Sequence, residues 1–198
     1  MHSKDKEPRL VLASASAARY AVLSKLKLDF ETLTPSVDET PLPEESPSEL
    51  VRRLSWQKAE SVSDRFSRHL IIGSDQVAVV DGKITGKPTD RDDAIRQLER
   101  ASGRNVTLYT GLALFNSESN HCQIDVLPYR VRFRQLTKSM ILNYIDLDQP
   151  YDCGGSLRSE GLGVALLEEF DGNDPNILLG LPLIRLIDML AVEHVHPL

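Results

Sequence analysis

Residues 70–77 have the sequence Leu70-Ile71-Ile72-Gly73-Ser74-Asp75-Gln76-Val77, in which an apolar run leads directly into an acid and an amide. A run of Leu and Ile bounded by Gly predicts a buried strand, and α/β sheets place their ligands at the carboxyl ends of such strands. We therefore expect Asp75 to emerge at or just past the end of a strand, on a rim where a ligand binds. The alternative is that Asp75 caps a turn, since an acid after a strand is common in α/β proteins.

A lysine follows this strand in the short segment Gly86-Lys87-Pro88. Lys87 can place a positive charge at the same edge of the sheet as Asp75, although it is equally compatible with a solvated loop. A carboxylate activates water or holds a divalent ion, and an ammonium neutralises phosphate oxygens, so the pair suits hydrolysis of a phosphoanhydride. The segment is not a P-loop, because position 81 is Asp81 rather than glycine and Pro88 has no backbone donor.

Length, composition and net charge indicate which classes of protein fit this sequence. The chain has 198 residues, 41% of them hydrophobic, which is enough for one domain with a proper core. Its net charge of -6 argues against a nucleic-acid binder, and no stretch approaches a membrane span. The two cysteines, Cys122 and Cys153, lie far apart in no metal-ligand spacing, which favours a reduced compartment. We expect a cytoplasmic protein with a short charged tail at residues 1–8 and a single catalytic domain at residues 9–198.

The order of predicted elements favours an α/β fold of mixed α+β character, with a twisted mixed sheet and flanking helices. Capping and turn residues mark the boundaries of these elements. The predicted elements are a strand at 9–13, a helix capped by Ser16 and reaching past Leu26 to Leu28, a helix from Ser46-Pro47 to about Asp64, a hairpin turn at Asp81-Gly82, a helix from Thr89 or Asp90 to Ser102-Gly103, an antiparallel pair at 106–115 and 123–133, a helix from Thr137 to Ile145, and a helix at 181–192.

Four more charged residues fall at places where a site could form. Arg19 lies in the first turn of a helix, whose free N–H groups favour an anion, and serines precede it. Glu39 lies in a proline-rich loop, Lys58 lies in the middle of a helix, and Glu160 lies in a glycine-rich segment. Each of them taken alone also fits a solvated surface charge.

Motifs spread along the chain, from Leu10 to Leu190, resemble those of the Maf family of nucleotide pyrophosphatases. Each motif is modest by itself, and their combination in this order carries the resemblance. They are Leu12-Ala13-Ser14-Ala15-Ser16 with Arg19, Val37-Asp38-Glu39-Thr40-Pro41, Lys58-Ala59, Gly73-Ser74-Asp75-Gln76-Val77, Gly86-Lys87-Pro88, Tyr109-Thr110-Gly111, Ser159-Glu160-Gly161 and the segment 176–182.

The resemblance implies hydrolysis of a nucleoside triphosphate between its α and β phosphates, which gives the monophosphate and pyrophosphate. It implies a fold of the Maf and inosine triphosphatase type, with two lobes around a central cleft, and a homodimer. It also implies a divalent cation, Mg²⁺, Mn²⁺ or Co²⁺, held by Asp75 and Glu39, with Asp75 as the proton acceptor. The polar residues that match the family's cleft are Ser14, Arg19, Glu39, Lys58 and Lys87.

Two positions resemble the branch of the family, known as YceF, that acts on 7-methyl-GTP. Asp75 is followed by Gln76, and Glu160 lies in a Ser-Glu-Gly motif, where the branch for dTTP and UTP usually has Asp-Thr and a glutamine. A carboxylate such as Glu160 can accept hydrogen bonds from guanine N1 and N2, and the amide of Gln76 can serve either edge of a base. The implied role is the removal of modified nucleotides, a house-cleaning function.

The sequence departs from the family pattern at Ala18 and Tyr20. The family commonly has two arginines after the first serines, and this branch has a tryptophan just before them. Here one arginine is replaced by Tyr20, and the tryptophan is replaced by Ala18. Two other functions therefore stay open: a catalytically weak nucleotide-binding regulator of septum formation, and a pyrophosphatase for another triphosphate such as dTTP or UTP.

Overall fold

The computed structural model describes residues 9–198, so the predicted tail at residues 1–8 lies outside the described residues. Its strands are β1 (Arg9–Ala13), β2 (Phe30–Leu33), β3 (His69–Val80), β4 (Lys83–Thr85), β5 (Asn105–Asn116), β6 (His121–Phe133) and β7 (Leu167–Asp171). Its α-helices are α1 (Ala17–Leu23), α2 (Pro47–Glu60), α3 (Arg91–Ala101), α4 (Lys138–Asp148) and α5 (Leu183–Val192). None of these helices is both long and apolar enough to cross a membrane.

The seven strands form one mixed sheet in the order β2-β1-β3-β5-β6-β7, with β4 paired to β3 outside this order. The pairs β1–β2 and β1–β3 are parallel, whereas β3–β4 and β6–β7 are antiparallel. A mixed sheet flanked by helices confirms the predicted fold class. The predicted strands at 106–115 and 123–133 correspond to β5 and β6, which are neighbours in the sheet.

The chain divides into two compact units. The first comprises the described residues up to Asp75 together with Thr110–Leu127 and Gly180–Leu198, and the second comprises Gln76–Tyr109 and Pro128–Leu179. The strands β3, β5 and β6 each contribute residues to both units. A single catalytic domain over residues 9–198 stays a prediction.

The first unit has a core in which β1, β3 and β5 meet helix α2. Its members are fully or almost fully buried aliphatic and aromatic side chains. Burial of such side chains is the main favourable contribution to folding. The members are Val11, Ala13, Ala59, Val62, Ile71, Ala113 and Phe115.

The predicted starts of α1 to α4 are confirmed, whereas α5 starts at Leu183 rather than at the predicted residue 181. The Ser16 side chain caps α1 by accepting from the Arg19 backbone N–H, and Ser46 forms a capping box with Glu49 ahead of Pro47. Such caps satisfy backbone donors that the first turn of a helix leaves free. The Asp90 and Thr137 side chains cap α3 and α4 in the same way. The hairpin turn at Asp81-Gly82 is also present, between β3 and β4.

Two strands and the ends of two helices differ most from the prediction. Strands β2 and β7 are mostly exposed, so they lack the apolar pattern that identifies a strand in sequence. Helix α1 ends at Leu23 rather than continuing to Leu28, because a short 3₁₀ turn follows and Lys27 adopts a left-handed conformation with φ of 58°. Helix α2 ends at Glu60, four residues before the predicted Asp64.

The second unit contains a small, mainly apolar cavity. It is lined by side chains of β3, β5 and α3, among them Ala78, Leu108 and Ala101, and by Thr85 of β4. The Thr85 hydroxyl is buried and finds no hydrogen-bond partner within residues 9–198. An unpaired buried hydroxyl destabilises a fold, so the Thr85 hydroxyl lowers the stability of the second unit.

Candidate active site

Asp75 lies inside β3, which continues to Val80, so the expectation that it follows the end of its own strand is wrong. The strand is longer because its last part pairs with β4. Its parallel neighbour β1, however, ends at Ala13, which is paired with Gly73. Asp75 therefore lies just beyond the carboxyl end of β1, where the parallel part of a sheet places ligands.

Lys58 joins the two predicted carboxylates of the first unit. Its Nζ donates to Asp75 Oδ1 at 2.6 Å and lies 2.7 Å from Glu39 Oε1. The side chains of Lys58 and Asp75 are only 8% and 10% exposed, whereas that of Glu39 is 56% exposed. A lysine is almost never this buried unless it is paired. The structure thus brings Glu39, Lys58 and Asp75 together, and it rejects the alternative that Lys58 is a solvated surface charge.

Two glycines allow α2 to approach the sheet closely enough for this contact. A Cβ atom on Gly73 would lie 2.0 Å from the Ser55 carbonyl oxygen, and one on Gly111 would lie 2.1 Å from the Val51 carbonyl oxygen. Any larger residue would push the helix away from β3 and β5. A glycine inside an apolar strand often marks such a close approach, and this was the signal in the sequence for the burial of Lys58.

The loop that carries Glu39 is fixed to α2 by Arg53, a residue that the sequence reasoning missed. Arg53 Nε donates to Glu45 Oε1 at 2.7 Å, and its Nη2 donates to Glu45 Oε2 at 2.7 Å and to the Thr40 carbonyl at 3.1 Å. A two-bonded arginine and carboxylate pair holds a fixed geometry. Arg53 therefore holds the loop of Glu39 against the helix that carries Lys58.

Arg19 lies on α1, and its guanidinium is held by backbone. Its Nε donates to the Gly180 carbonyl at 2.8 Å. Burial lowers the pKa of Arg19, while the negative charges of Asp75 and Glu39 oppose that shift. An arginine whose positive charge interacts with both carboxylates is a suitable partner for a phosphate bound beside them.

The remaining predicted residues of the first unit lie on or before α1. Ser14 is buried and its Oγ accepts from the Ser16 backbone N–H at 3.1 Å, so it shapes the turn between β1 and α1. Ala18 is half-buried. Tyr20 is exposed, and its ring packs against Phe30 with the ring centres 5.2 Å apart. Tyr20 therefore has a structural contact of its own.

The other three predicted residues, Gln76, Lys87 and Glu160, belong to the second unit. The Gln76 amide donates to the Ile177 carbonyl, and both Lys87 and Glu160 are exposed. Backbone bonding supports the segments beside them, since the Gly155 N–H donates to the Gly86 carbonyl at 3.0 Å. Their roles in a site stay predictions.

The carboxylates of the first unit fit a divalent cation that is shared with a substrate. Within residues 9–198 no group of three or more His, Cys, Asp and Glu side chains is placed to hold a metal ion. Mg²⁺, however, is usually bound by one or two carboxylates together with substrate phosphates, rather than by a cage of protein ligands. Asp75 and Glu39, which both contact Lys58 Nζ, are two carboxylates of this kind.

Neither cysteine has the properties of a nucleophile. Both are free, and burial raises the pKa of Cys122 and of Cys153 to about 11. A thiol is reactive mainly as the thiolate, which these values disfavour near neutral pH. The chemistry of the site therefore rests on its carboxylates and cations.

A comparison with known families matches the family described as Maf-like protein over residues 9–193. The chain belongs to the Maf-like family. This confirms the family resemblance seen in the motifs, and membership in the Maf-like family supports a nucleotide-hydrolysing role. The matched region includes every predicted site residue, all of the second unit and most of the first.

Two solved structures are similar to this Maf-like protein. The Staphylococcus aureus Ham1 protein is 12% identical, with a TM-score of 0.47, over 63% of this chain and 71% of that chain. Protein VC0702 from Vibrio cholerae is 10% identical, with a TM-score of 0.39, over 93% of this chain and 98% of that chain. Likeness at this level carries no argument about the activity of the Maf-like protein.

Proposed function

We propose that the protein is a nucleoside triphosphate pyrophosphatase that converts 7-methyl-GTP to 7-methyl-GMP and pyrophosphate. The observation that carries this proposal is the contact of buried Lys58 with both Asp75 and Glu39, at 2.6 and 2.7 Å. A buried cation between two carboxylates, with Arg19 nearby, provides both the base and the positive charge that phosphoanhydride hydrolysis needs.

Asp75 is the proposed general base. In the reaction, the oxygen of a water molecule bonds to phosphorus, the bridging P–O bond between the α and β phosphates breaks, and pyrophosphate leaves. Asp75 accepts the proton that the attacking water loses. Its carboxylate is held in place by Lys58 at 2.6 Å, so it is oriented before the substrate arrives.

The cations of the site bind phosphate oxygens. Arg19 carries a charge that can stabilise the negative charge that builds on the departing pyrophosphate, and the family motif leads us to propose the same role for Lys87. Lys58 does the same once a phosphate competes with the carboxylates for its ammonium. Asp75 and Glu39 would hold a divalent cation, which would further neutralise phosphate charge and lower the pKa of bound water.

The proposed preference for 7-methyl-GTP rests on Glu160 and Gln76. Methylation at N7 makes the guanine cationic, so the exposed carboxylate of Glu160 attracts it and can accept from its N1 and N2 hydrogens. The Gln76 amide nitrogen donates to the Ile177 carbonyl, which orients the second side chain proposed to lie beside the base.

A panel of triphosphates tests this function. The protein is incubated with GTP, 7-methyl-GTP, dTTP and UTP, each with Mg²⁺, Mn²⁺ or Co²⁺, and the products are separated by chromatography. Pyrophosphate with the nucleoside monophosphate is the expected result, fastest with 7-methyl-GTP. Release of inorganic phosphate with the diphosphate would contradict cleavage at the α–β bond. A faster reaction with dTTP or UTP would move the protein to the other substrate class.

A second function, nucleotide binding with little turnover, is favoured by one observation. Tyr20 replaces an arginine of the family pattern, and its ring is engaged with Phe30, so one phosphate-binding charge is missing. Tight binding of 7-methyl-GTP without release of pyrophosphate, under every metal condition, would support this regulator.

The assembly and compartment are also proposals. The family resemblance leads us to propose a cytoplasmic homodimer that acts on a free nucleotide. Light scattering after size exclusion tests the dimer, with a mass of twice that of the chain as the expected result. A monomer at micromolar concentration would contradict it.

A further inference from the structure

Gly180 lies in the segment 176–182, which carries part of the family resemblance and provides the carbonyl that accepts from Arg19. Its backbone has φ of +79°, in the left-handed region that favours glycine. A turn alone would explain this conformation. The surroundings of Gly180 in the first unit suggest a more specific role.

The carbonyl oxygen of Gly180 is shared by two polar side chains of the first unit. It accepts from Arg19 Nε at 2.8 Å, and Ser74 Oγ lies 2.8 Å from it. Ser74 is fully buried on β3, directly before Asp75. The carbonyl therefore links the guanidinium on α1 to the strand that carries the proposed base.

The absence of a Cβ atom at Gly180 affects the position of Arg19, as its carbonyl does. A Cβ atom at this position would lie 3.1 Å from Arg19 Nε and 3.3 Å from Arg19 Nη2. These separations are shorter than ordinary van der Waals contact, so the guanidinium would have to move by a few tenths of an ångström. Because Gly180 has no Cβ atom, the guanidinium can lie against its backbone.

We propose that Gly180 is a positioning residue for Arg19. Its carbonyl fixes the guanidinium through Nε, so the donors on the two Nη nitrogens remain for phosphate oxygens. This inference rests on the proposed function, in which Arg19 binds the triphosphate. A misplacement of 1 Å can cost about a hundredfold in an active site, so a shift of a few tenths should cost about three- to tenfold in phosphate affinity.

A double-mutant cycle tests this coupling. The probe is a GTP analogue with a methylene bridge between the α and β phosphates, and its affinity is measured by calorimetry. We expect Arg19→Ala to weaken binding about ten- to a hundredfold, as for the loss of hydrogen bonds to a charged group. Gly180→Ala should weaken it about three- to tenfold in the parent, but by less than about twofold in the Arg19→Ala background.

Gly82→Ala is the matched control. Gly82 has φ of +73°, and a Cβ atom there would meet nothing within 4 Å. The two substitutions therefore carry a similar backbone strain, since both place a Cβ atom on left-handed backbone. Gly82→Ala should bind the analogue like the parent. Equal weakening by Gly180→Ala in both backgrounds, or equal weakening by Gly82→Ala, would overturn the positioning role.

A second measurement reads the position of Arg19 without any nucleotide. The Nε–H signal of Arg19 in an NMR spectrum is identified by its loss in Arg19→Ala. Slow exchange of this proton is expected in the parent and in Gly82→Ala, and fast exchange is expected in Gly180→Ala. Unchanged exchange in Gly180→Ala would refute the inference. If no variant binds the analogue, the proposed function fails, while the exchange result still decides the role of Gly180.

Discussion

Replacing Lys58 by methionine should destabilise the protein far more than replacing Glu39 by glutamine. Lys58→Met removes the cation of two ion pairs, at 2.6 Å to Asp75 and 2.7 Å to Glu39, whereas Glu39→Gln removes only the second pair. The burial of the partners differs, because the Asp75 side chain is 10% exposed and that of Glu39 is 56% exposed. Loss of one partner from a buried pair costs about 3–5 kcal/mol, whereas an exposed pair contributes about 0–1 kcal/mol.

Urea denaturation, with chelator present and without nucleotide, measures these free energies of unfolding. Lys58→Met should lower the free energy by about 3–5 kcal/mol, and Glu39→Gln should lower it by less than about 1 kcal/mol. Since about 1 kcal/mol shifts the melting temperature by about 2–4 °C in a chain of this size, Lys58→Met should also lower it by about 6–20 °C. Lys83→Met, at an exposed lysine, is the control for loss of a surface charge.

The double variant Lys58→Met/Asp75→Asn separates charge from packing. It removes the unpaired buried carboxylate, so it should recover about half or more of the loss seen in Lys58→Met alone. A cost for Lys58→Met no larger than that for Glu39→Gln, or no recovery in the double variant, would refute the assignment of Lys58 and Asp75 as a buried ion pair.

Three further predictions concern activity and stability. Asp75→Asn should lower kcat for pyrophosphate release by about a hundred- to ten-thousandfold, because an amide cannot accept the proton, and turnover within about threefold of the parent would remove Asp75 from the mechanism. Ala18→Trp should increase the preference for 7-methyl-GTP over GTP about fivefold or more through KM, since stacking on a cationic base contributes about 1–3 kcal/mol, and an unchanged ratio would mean that the base lies elsewhere. Thr85→Val should raise the free energy of unfolding in urea by about 1 kcal/mol, because it removes a buried hydroxyl without a partner, and a loss of stability would show that the hydroxyl is satisfied in solution.

Features set by a few neighbouring residues were predictable from the sequence. Ser16 as a cap, Pro47 after the cap Ser46, and the turn at Asp81-Gly82 are all present as predicted. Each depends on hydrogen bonds or backbone preferences within one turn of the chain. The apolar run before Asp75 likewise predicted a buried strand correctly.

Strands at the end of the sheet order were not predictable in this way. Strands β2 and β7 are the first and last strands in the order β2-β1-β3-β5-β6-β7, and most of their side chains are exposed. They are held by pairing with β1 and β6, and ion pairs such as Arg132 with Glu168 support β7. Backbone pairing with a distant strand leaves no apolar alternation in the local sequence.

Glu39, Lys58 and Asp75 could be named as candidates from the sequence, but their contact with one another could not be predicted. Lys58 was placed correctly in the middle of a helix, yet its burial depends on Gly73 and Gly111, which lie in two different strands. The contact of Arg19 with Gly180 joins residues 161 positions apart. Contacts of this kind depend on tertiary packing, which outweighs any local preference.

The long separation of Arg19 and Gly180 also sets the order in which the protein can be completed as it is synthesised. Ribosomes add about 5–20 residues per second, so the 161 positions from Arg19 to Gly180 take about 8–32 s to make. Both pieces of the second unit, Gln76–Tyr109 and Pro128–Leu179, leave the ribosome before Gly180 does. A nascent chain therefore contains all of the second unit and the residues of the buried ion pair before the Gly180 carbonyl, which binds Arg19, has been made.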